Sequence, residues 1–387
     1  MKLNAFLGVV LALLGNTSAW GHGVLSINNP ALMTVPANGW SYQGEVFAAN
    51  DMVPLNQFDD DPWPANYRTR AGTNLGLANA RISIDTNRGD WSIGYFYRQD
   101  WLLKGSRDSI DAYVLDRNEQ LTSQARSFDL DYTIQGYVAD GLRMAFSREI
   151  ATTNGHIFRW GAAASLLRGL DVRKEQAKGN LISTVGSASL VGNRQLFDSQ
   201  LNPVSTSASF NDFIPAAVQD VSVGFGYALD FGLNWKFQNG ANIDLAVNDL
   251  LGRIKWNRVP LIEQEINGTF IGDTFTSGAN AIISGSNRYQ SLSLSLDPKL
   301  SISAAYPLGD VSLRARVDSI DGLWFPQLGG EYVFASDWRV GLDYETRFGS
   351  VKISLRHPKY FVSLSTDNLK FSESRTLGFA AGLNYVF

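Results

Sequence analysis

The chain contains no cysteine in 387 residues, which excludes a disulfide framework, a thiolate metal site and a lipidated N-terminal cysteine. Charged residues are also scarce, at 18% against the roughly 25% usual in soluble proteins. The 33 basic and 37 acidic residues nearly balance, so the basic footprint that nucleic-acid binding requires is missing. Only three histidines occur, His22, His156 and His357. None has a serine in the His-x-Ser arrangement or stands in a paired-acid-plus-His motif. No phosphate loop, zinc spacing or cofactor motif is present either. The expectation is therefore no enzyme, no catalytic residues, no metal, no cofactor and no nucleic-acid partner. Long apolar runs are missing too. Beyond the N-terminus no uncharged stretch of about eighteen residues appears, so no transmembrane helix is expected.

What is present is an N-terminal export pattern and a long series of alternating segments. Lys2 precedes the apolar Ala5 to Leu14, and small residues follow at Gly15, Thr17, Ser18 and Ala19. The run is too short to span a bilayer and fits a cleaved secretory signal over 1–21, cut after Ala19 or Gly21. Residues 22–39 then read as a periplasmic N-terminal segment, with turn formers at Asn28, Asn29, Pro30, Pro36 and Gly39. An exported chain without a spanning helix can still cross a membrane as a closed barrel, which satisfies every backbone group in lipid.

The alternation runs from Trp40 to the C-terminus. Successive side chains of a strand point to opposite faces, and segment after segment is apolar on one parity. Trp91, Ile93, Tyr95, Tyr97 and Trp101 share a face opposite Ser92, Gly94, Arg98 and Asp100. Ten steps of about 3.3 Å, tilted about 40°, separate Trp91 from Trp101 by roughly 25 Å vertically, the height of a barrel's apolar band. Val221 to Phe237 is apolar at every second position, longer than sandwich strands usually run. Thr376 to Phe387 (TLGFAAGLNYVF) alternates up to a terminal aromatic.

That closing strand resembles the terminal strand of bacterial outer-membrane barrels, where it is the recognition signal for the assembly machinery. Asn29-Pro30-Ala31 resembles the NPA motif near the start of FadL-type long-chain fatty-acid transporters and the related TraF-like barrels. Asp249, Leu250, Ile254 and Trp256 resemble a D-L-x-x-I-x-W segment of the same superfamily. In FadL-type proteins a longer Gly/Ala-rich stretch precedes NPA and helps form a hatch; here only a few residues remain, which puts a full hatch in doubt.

The expected fold is all-β: a transmembrane antiparallel up-and-down barrel over 40–387, of about 14–16 strands, with both termini periplasmic. The count depends on residues 102–124, which read as strand or as a helix-bearing loop. Alternating turn by turn from the C-terminus places two long polar segments, 172–219 and 257–288, on the external side. Trp91, Trp101, Trp160, Trp235, Trp338, Tyr385 and Phe387 are the expected lipid-interface aromatics. The opposite parity carries Arg314, Arg316, Asp318, Glu331, Arg339, Asp343, Glu345, Lys352 and Arg356. An outward Arg or Lys at the bilayer midplane costs about 2–4 kcal/mol, so these should line the lumen. They could form an ion-pair network that fills the barrel or a polar conduit that tunes passage. Two functions follow: a channel in the outer membrane for passive passage of small or hydrophobic solutes, with lipid and the assembly machinery as partners, or a non-transporting barrel acting in assembly, secretion or conjugation.

Overall fold

The computed structural model describes residues 23–33, 38–58, 62–64, 67–151, 155–200, 222–271, 280–335 and 337–386. The expected signal over 1–21, His22, Asp59 to Asp61, Asn154 and Phe387 lie outside them. Among the described residues no helix is long and apolar enough to cross a membrane.

The alternating segments become strands over most of their length, Val221 to Phe237 as Gly224–Lys236 and Thr376 to Phe387 as Thr376–Val386, with Val221 and Phe387 outside the described residues. The elements are β1 (Asn38–Asn50), β2 (Thr73–Arg88), β3 (Trp91–Ser106), α1 (Arg107–Arg117), β4 (Arg126–Ala151), β5 (Ile157–Thr184), β6 (Ser187–Asp198), β7 (Gly224–Lys236), β8 (Asn242–Ile271), β9 (Asn280–Ser295), β10 (Lys299–Leu308), β11 (Val311–Ile320), β12 (Leu323–Ala335), β13 (Trp338–Glu345), β14 (Ser350–His357), β15 (Tyr360–Thr366) and β16 (Thr376–Val386). All sixteen belong to one sheet. Fourteen close into an antiparallel barrel, the seam being β1 on β16, from Gly39 opposite Val386 to Ala49 opposite Thr376. Closure removes the sheet edges that lipid could not satisfy.

Within 102–124, which reads as strand or as a helix-bearing loop, the structure places α1. Ser106 caps it by accepting from the Ser109 N–H, a residue type that favours a helix start over a continuing strand. The helix packs Ile110 and Val114 with Met52, Val53 and Trp63, beside Leu103.

Strands β6 and β9 account for the other two. β6 pairs with the far halves of β5 and β8 (Arg173 opposite Asp198, Leu196 opposite Ile262). β9 pairs with β8 from Arg253 onward. Together they carry the wall on past the barrel as an extension. The expectation of long polar loops over 172–219 and 257–288 is corrected in this respect. Much of both segments is strand, with one face carrying the exposed polar Gln176, Lys178, Asn193 and Gln195 and the other burying Leu181, Leu190 and Ile266.

Outward residues form that band. Ile93, Leu142, Leu166, Phe225, Leu313, Leu328, Leu342 and Ile353 are all exposed, as the lipid-facing side of a transmembrane barrel must be. At the short-turn end the aromatics touch in sequence. Trp91 meets Phe146 at 4.9 Å and Phe146 meets Trp160 at 5.5 Å. Trp235 stacks on Phe237 at 4.9 Å, and Trp338 meets Tyr360 at 5.2 Å. Gly89 and Gly309 supply the positive φ that the tight turns at this end need. Tyr385 is exposed beside them near the end of β16. Trp101 shares the outward parity ten positions above Trp91, and its ring lies across Gly136, where a Cβ would come within 2.1 Å of it.

Candidate functional site: an occluded lumen

Residues 23–33, which come before β1 in the chain, lie within the barrel. They belong to the segment over 22–39 that the sequence reading expects to be a periplasmic N-terminal segment; His22 and 34–37 lie outside the described residues. Gly23 sits against Arg316 and Asp318. Val24 and Ser26 bond to Asn79, through Asn79 Nδ2 to the Val24 carbonyl at 2.9 Å and Ser26 Oγ to Asn79 Oδ1 at 3.1 Å. Leu25 is buried among Phe47, Leu75, Leu77, Leu102, Ile320 and Phe325. Asn28 and Asn248 form a reciprocal pair: the Asn28 N–H donates to Asn248 Oδ1 at 2.7 Å, and Asn248 Nδ2 donates to the Asn28 carbonyl at 2.8 Å.

The Asn29-Pro30-Ala31 turn is seated on the wall. Asn29 Oδ1 accepts from the Ala31 N–H at 3.0 Å, and Asn29 Nδ2 donates to the Leu233 carbonyl at 3.0 Å. Beneath it Gly161 of β5 and Gly232 of β7 are direct cross-strand partners. A Cβ on Gly161 would lie 2.5 Å from the Pro30 carbonyl oxygen, and one on Gly232 would lie 1.9 Å from Asn29 Oδ1. Only glycine leaves room for this turn. The result is a plug of residues 23–33, held by hydrogen bonds and by the apolar packing of Val24, Leu25 and Ile27.

Two charged walls flank the plug. On β11–β14, Glu331 takes three arginines: Arg314 Nη1 at 3.0 Å, Arg356 Nη1 at 3.2 Å and Arg339 Nη1 at 3.4 Å. Asp343 takes Arg314 Nη2 at 3.0 Å and Lys352 Nζ at 3.1 Å. Arg316 Nε pairs with Asp318 Oδ1 at 2.7 Å. Eight of the nine charged residues expected on the lumen parity thus come together in this wall. Glu345 does not join them: its carboxylate accepts from the backbone N–H groups of Arg347 and Phe348, at 2.6 and 2.9 Å, and closes the turn after β13.

The second wall is the part that sequence reading did not assemble. Arg98 Nη1 pairs with Asp249 Oδ1 at 2.8 Å, and Arg143 Nη2 with Asp85 Oδ1 at 3.1 Å. Lys299 Nζ meets Asp100 Oδ1 at 2.5 Å, and Tyr137 donates to Asp100 Oδ2 at 2.7 Å. With its amide oxygen turned to the cations, Asn28 of the plug accepts from Arg81 Nη1 at 2.9 Å and Arg143 Nη1 at 3.2 Å. Arg98 and Asp100 had stood on the polar parity of their strand, so the signal was there. What was missing was the partner strand, more than a hundred residues away for Asp249.

Asp249 also marks an interruption of the wall. Asp249 and Leu251 have φ of +61° and +57°, a conformation that costs non-glycine residues about 1–3 kcal/mol and persists where surroundings fix it. Arg98 and the Asp230 carboxylate, which accepts from the Asp249 N–H at 3.0 Å, supply that fixing. β10 pairing on β8 ends at Asn248, and β9 pairing begins at Arg253.

Beyond this point the lumen is filled by apolar side chains. Trp256 is fully buried with Ile254, Leu167, Val172, Phe197, Leu261, Leu292 and Leu294. Gly169 and Gly224, again cross-strand partners, make its seat: a Cβ on either would lie within 2.5 Å of the indole. Between the plug and the wall remains a cavity of about 20 Å³, lined by Leu25, Leu77, Leu102 and Ile320 on one side and Asp100, Tyr137 and Lys299 on the other. A wider polar hollow of about 700 Å³ opens on the lumen face of the extension, lined by Gln176, Lys178, Asn193, Gln195, Glu263 and Ser286 among others. Among the described residues no group of three His, Cys, Asp or Glu could hold a metal ion.

No protein-family model matches this chain, and no curated protein matches it by sequence. Solved structures that resemble it include the deltaS2S3 mutant of the TodX monoaromatic hydrocarbon channel, 10% identical with 93% of each chain covered and a TM-score of 0.46. A Pseudomonas aeruginosa FadL homologue is 13% identical, with 97% of this chain and 99% of that one covered and a TM-score of 0.42. The translocator domain of the autotransporter NalP from Neisseria meningitidis is 9% identical, covers 99% and 94%, and has a TM-score of 0.29.

Proposed function

We propose that this barrel is an outer-membrane channel, closed in the state described, for passive passage of small hydrophobic solutes. The observation that carries the reading is how the lumen is shut. The wall does not close it alone. A separate segment, residues 23–33, lies across it on hydrogen bonds and a buried leucine, and a segment held in this way can move while the barrel stays intact. The cavity beside Leu25 is apolar on one side with polar groups opposite, the lining that small-molecule sites use to bind and orient. At about 20 Å³ it admits a solute only when Leu25 withdraws.

In this reading both termini are periplasmic, the short turns face the periplasm, and the long-strand extension faces outside. Export uses the signal over 1–21, and the assembly machinery recognises β16. The test is uptake by proteoliposomes of small aromatic hydrocarbons and of polar solutes of equal size. Selective entry of the hydrocarbons is expected, and entry of neither would overturn the proposal.

A second reading has its own support. Apolar side chains around Trp256 fill the lumen above the plug, and the extension offers a large surface above it. Both suit a non-transporting barrel that docks a partner. Plug-displacing variants separate the two, because opening the plug raises uptake only in a channel.

A further inference from the structure

The lipid-facing side of a barrel is expected to be apolar up to the headgroups and free of unpaired charge. One sector departs from this at a definite height. On β8 the outward residues above the bulge are Arg253 and Lys255, both exposed, while Ile254 and Trp256 between them are buried in the lumen. A register shift after Trp256 brings the exposed Arg258 next, its guanidinium 4.1 Å over the Tyr289 ring. Among the described residues none of these three cations is joined to a carboxylate. Arg168 of β5, by contrast, is paired through Nε with Asp140 at 2.8 Å.

The neighbours of Arg253 and Lys255 complete the surface. On β9 their cross-strand partners are Ser295 and Ser293, exposed together with Ser291 in an alternating serine-leucine run. On β7 they are Tyr227 and Phe225. Directly below, Leu250, Leu251 and Leu166 are exposed and apolar. Height decides what this surface meets. Ile243, opposite Trp235 in the short-end aromatic belt, lies ten positions before Arg253, or roughly 20–25 Å at barrel tilt. That is the top of an apolar band about 25 Å tall, where headgroups begin. On β12, β13 and β14 the exposed outward residues towards the same end are Trp324, Leu328, Tyr344 and Val351. Against these, Arg253, Lys255 and Arg258 make a cationic sector.

We propose that Arg253, Lys255 and Arg258, with the serine row of β9, bind the phosphate of a phosphorylated lipid headgroup in the outer leaflet. Leu250, Leu251 and Phe225 pack against its acyl chains. The inference rests on the reading that the long-strand end faces outward. Its experiment floats the purified barrel with phosphatidylcholine vesicles containing bisphosphorylated lipid A, or its dephosphorylated form, and reads bound lipid by native mass spectrometry. The R253Q/K255Q/R258Q variant is expected to bind the phosphorylated lipid on the order of a hundredfold more weakly, three surface cations contributing roughly fivefold each. The R253K/R258K variant keeps the charge and should retain most of the binding. Lys370→Gln, an exposed cation elsewhere at the long end, should change nothing.

Unchanged binding by the triple variant would overturn the inference. So would equal binding of the dephosphorylated lipid, or displacement by inorganic phosphate at the same concentration. A barrel that still takes up hydrocarbons but ignores the phosphorylated lipid would remove this inference and leave the channel reading standing.

Discussion

The two sides of the barrel differ in what sets their length. From β10 to β16 the strands run 7 to 13 residues and stop near the edge of the apolar band. From β4 to β8 three strands reach 26, 28 and 30 residues and continue beyond it, gathering β6 and β9. On the short side the membrane alone fixes strand length, and the lumen is held by ion pairs around Glu331 and Asp343. On the long side the strands carry a second structure above the membrane, and the lumen is packed with apolar side chains around Trp256. One barrel thus closes its interior by two different chemistries.

Each chemistry can be removed alone. Trp256→Ala deletes the largest buried side chain of the long side and should cost about 3–5 kcal/mol in reversible unfolding from lipid vesicles. The loss should appear as faster hydrogen exchange in β5, β7 and β8 with β12–β14 unchanged. On the short side, Glu331→Gln leaves Arg314, Arg339 and Arg356 without their shared carboxylate. Breaking a buried pair costs about 3–5 kcal/mol, and the partly exposed Arg339 puts this case at the lower end. Exchange should then rise in β11–β14 only. If either variant loosens both sides equally, the division is wrong.

That division also explains which parts were legible in the sequence. On the short side every strand alternates plainly, because one face meets lipid and the other the lumen; Arg314, Glu331, Asp343 and Lys352 stood out as charges on the inner parity. On the long side the upper strands turn an exposed polar face to water and bury the other, around Leu181, Leu190 and Ile266. Gln176, Lys178, Asn193 and Gln195 are exposed or half-exposed polar residues of strands that local polarity cannot tell from a loop. Glu345 shared the inner parity yet serves a turn, because parity carries no information on height. The charged wall of Arg98 and Asp249 was hidden for another reason, since its pairs bridge distant strands. Asn29-Pro30-Ala31 was visible as a turn, but its place inside the lumen depends on Gly161 and Gly232, which look like ordinary small residues of their strands.

Those glycines offer a milder way to sharpen the comparison. Gly161/Gly232 seats the plug and Gly169/Gly224 seats Trp256, both pairs spanning β5 and β7. Gly161→Val places a branched side chain where the Pro30 carbonyl now lies, and Gly161 has no positive φ that valine would strain. The barrel should fold as before, at a cost within the overpacking range of about 1–3 kcal/mol. Residues 23–33 should become accessible to protease, and hydrocarbon uptake should rise. A plug that stays protected in this variant would mean that Asn248 and Asn79 hold it without the glycine seat.

The smallest effect concerns the extension, which stands clear of the membrane. Glu175 of β5 accepts from Arg194 Nε at 2.8 Å and from Tyr132 at 2.7 Å, and pairs with Arg173 at 2.5 Å. Burial alone would push its carboxyl up, but Arg194 and Arg173 outweigh that and hold it below the ordinary carboxylate value. Burial and the same carboxylate push the Tyr132 hydroxyl well up, so it remains a donor. A carboxyl depressed on folding contributes stability that is present above its unfolded value and lost as pH falls through the folded one. Acidification below about pH 4.5, the ordinary glutamate value, should therefore loosen β6 and the far half of β5 while the apolar band stays closed. Hydrogen exchange against pH reads this directly. In Glu175→Gln the pH dependence should vanish from these strands. If it persists there, another carboxylate of the extension that is held down, such as Glu263 bonded to Gln195 and paired with Arg288, controls the transition.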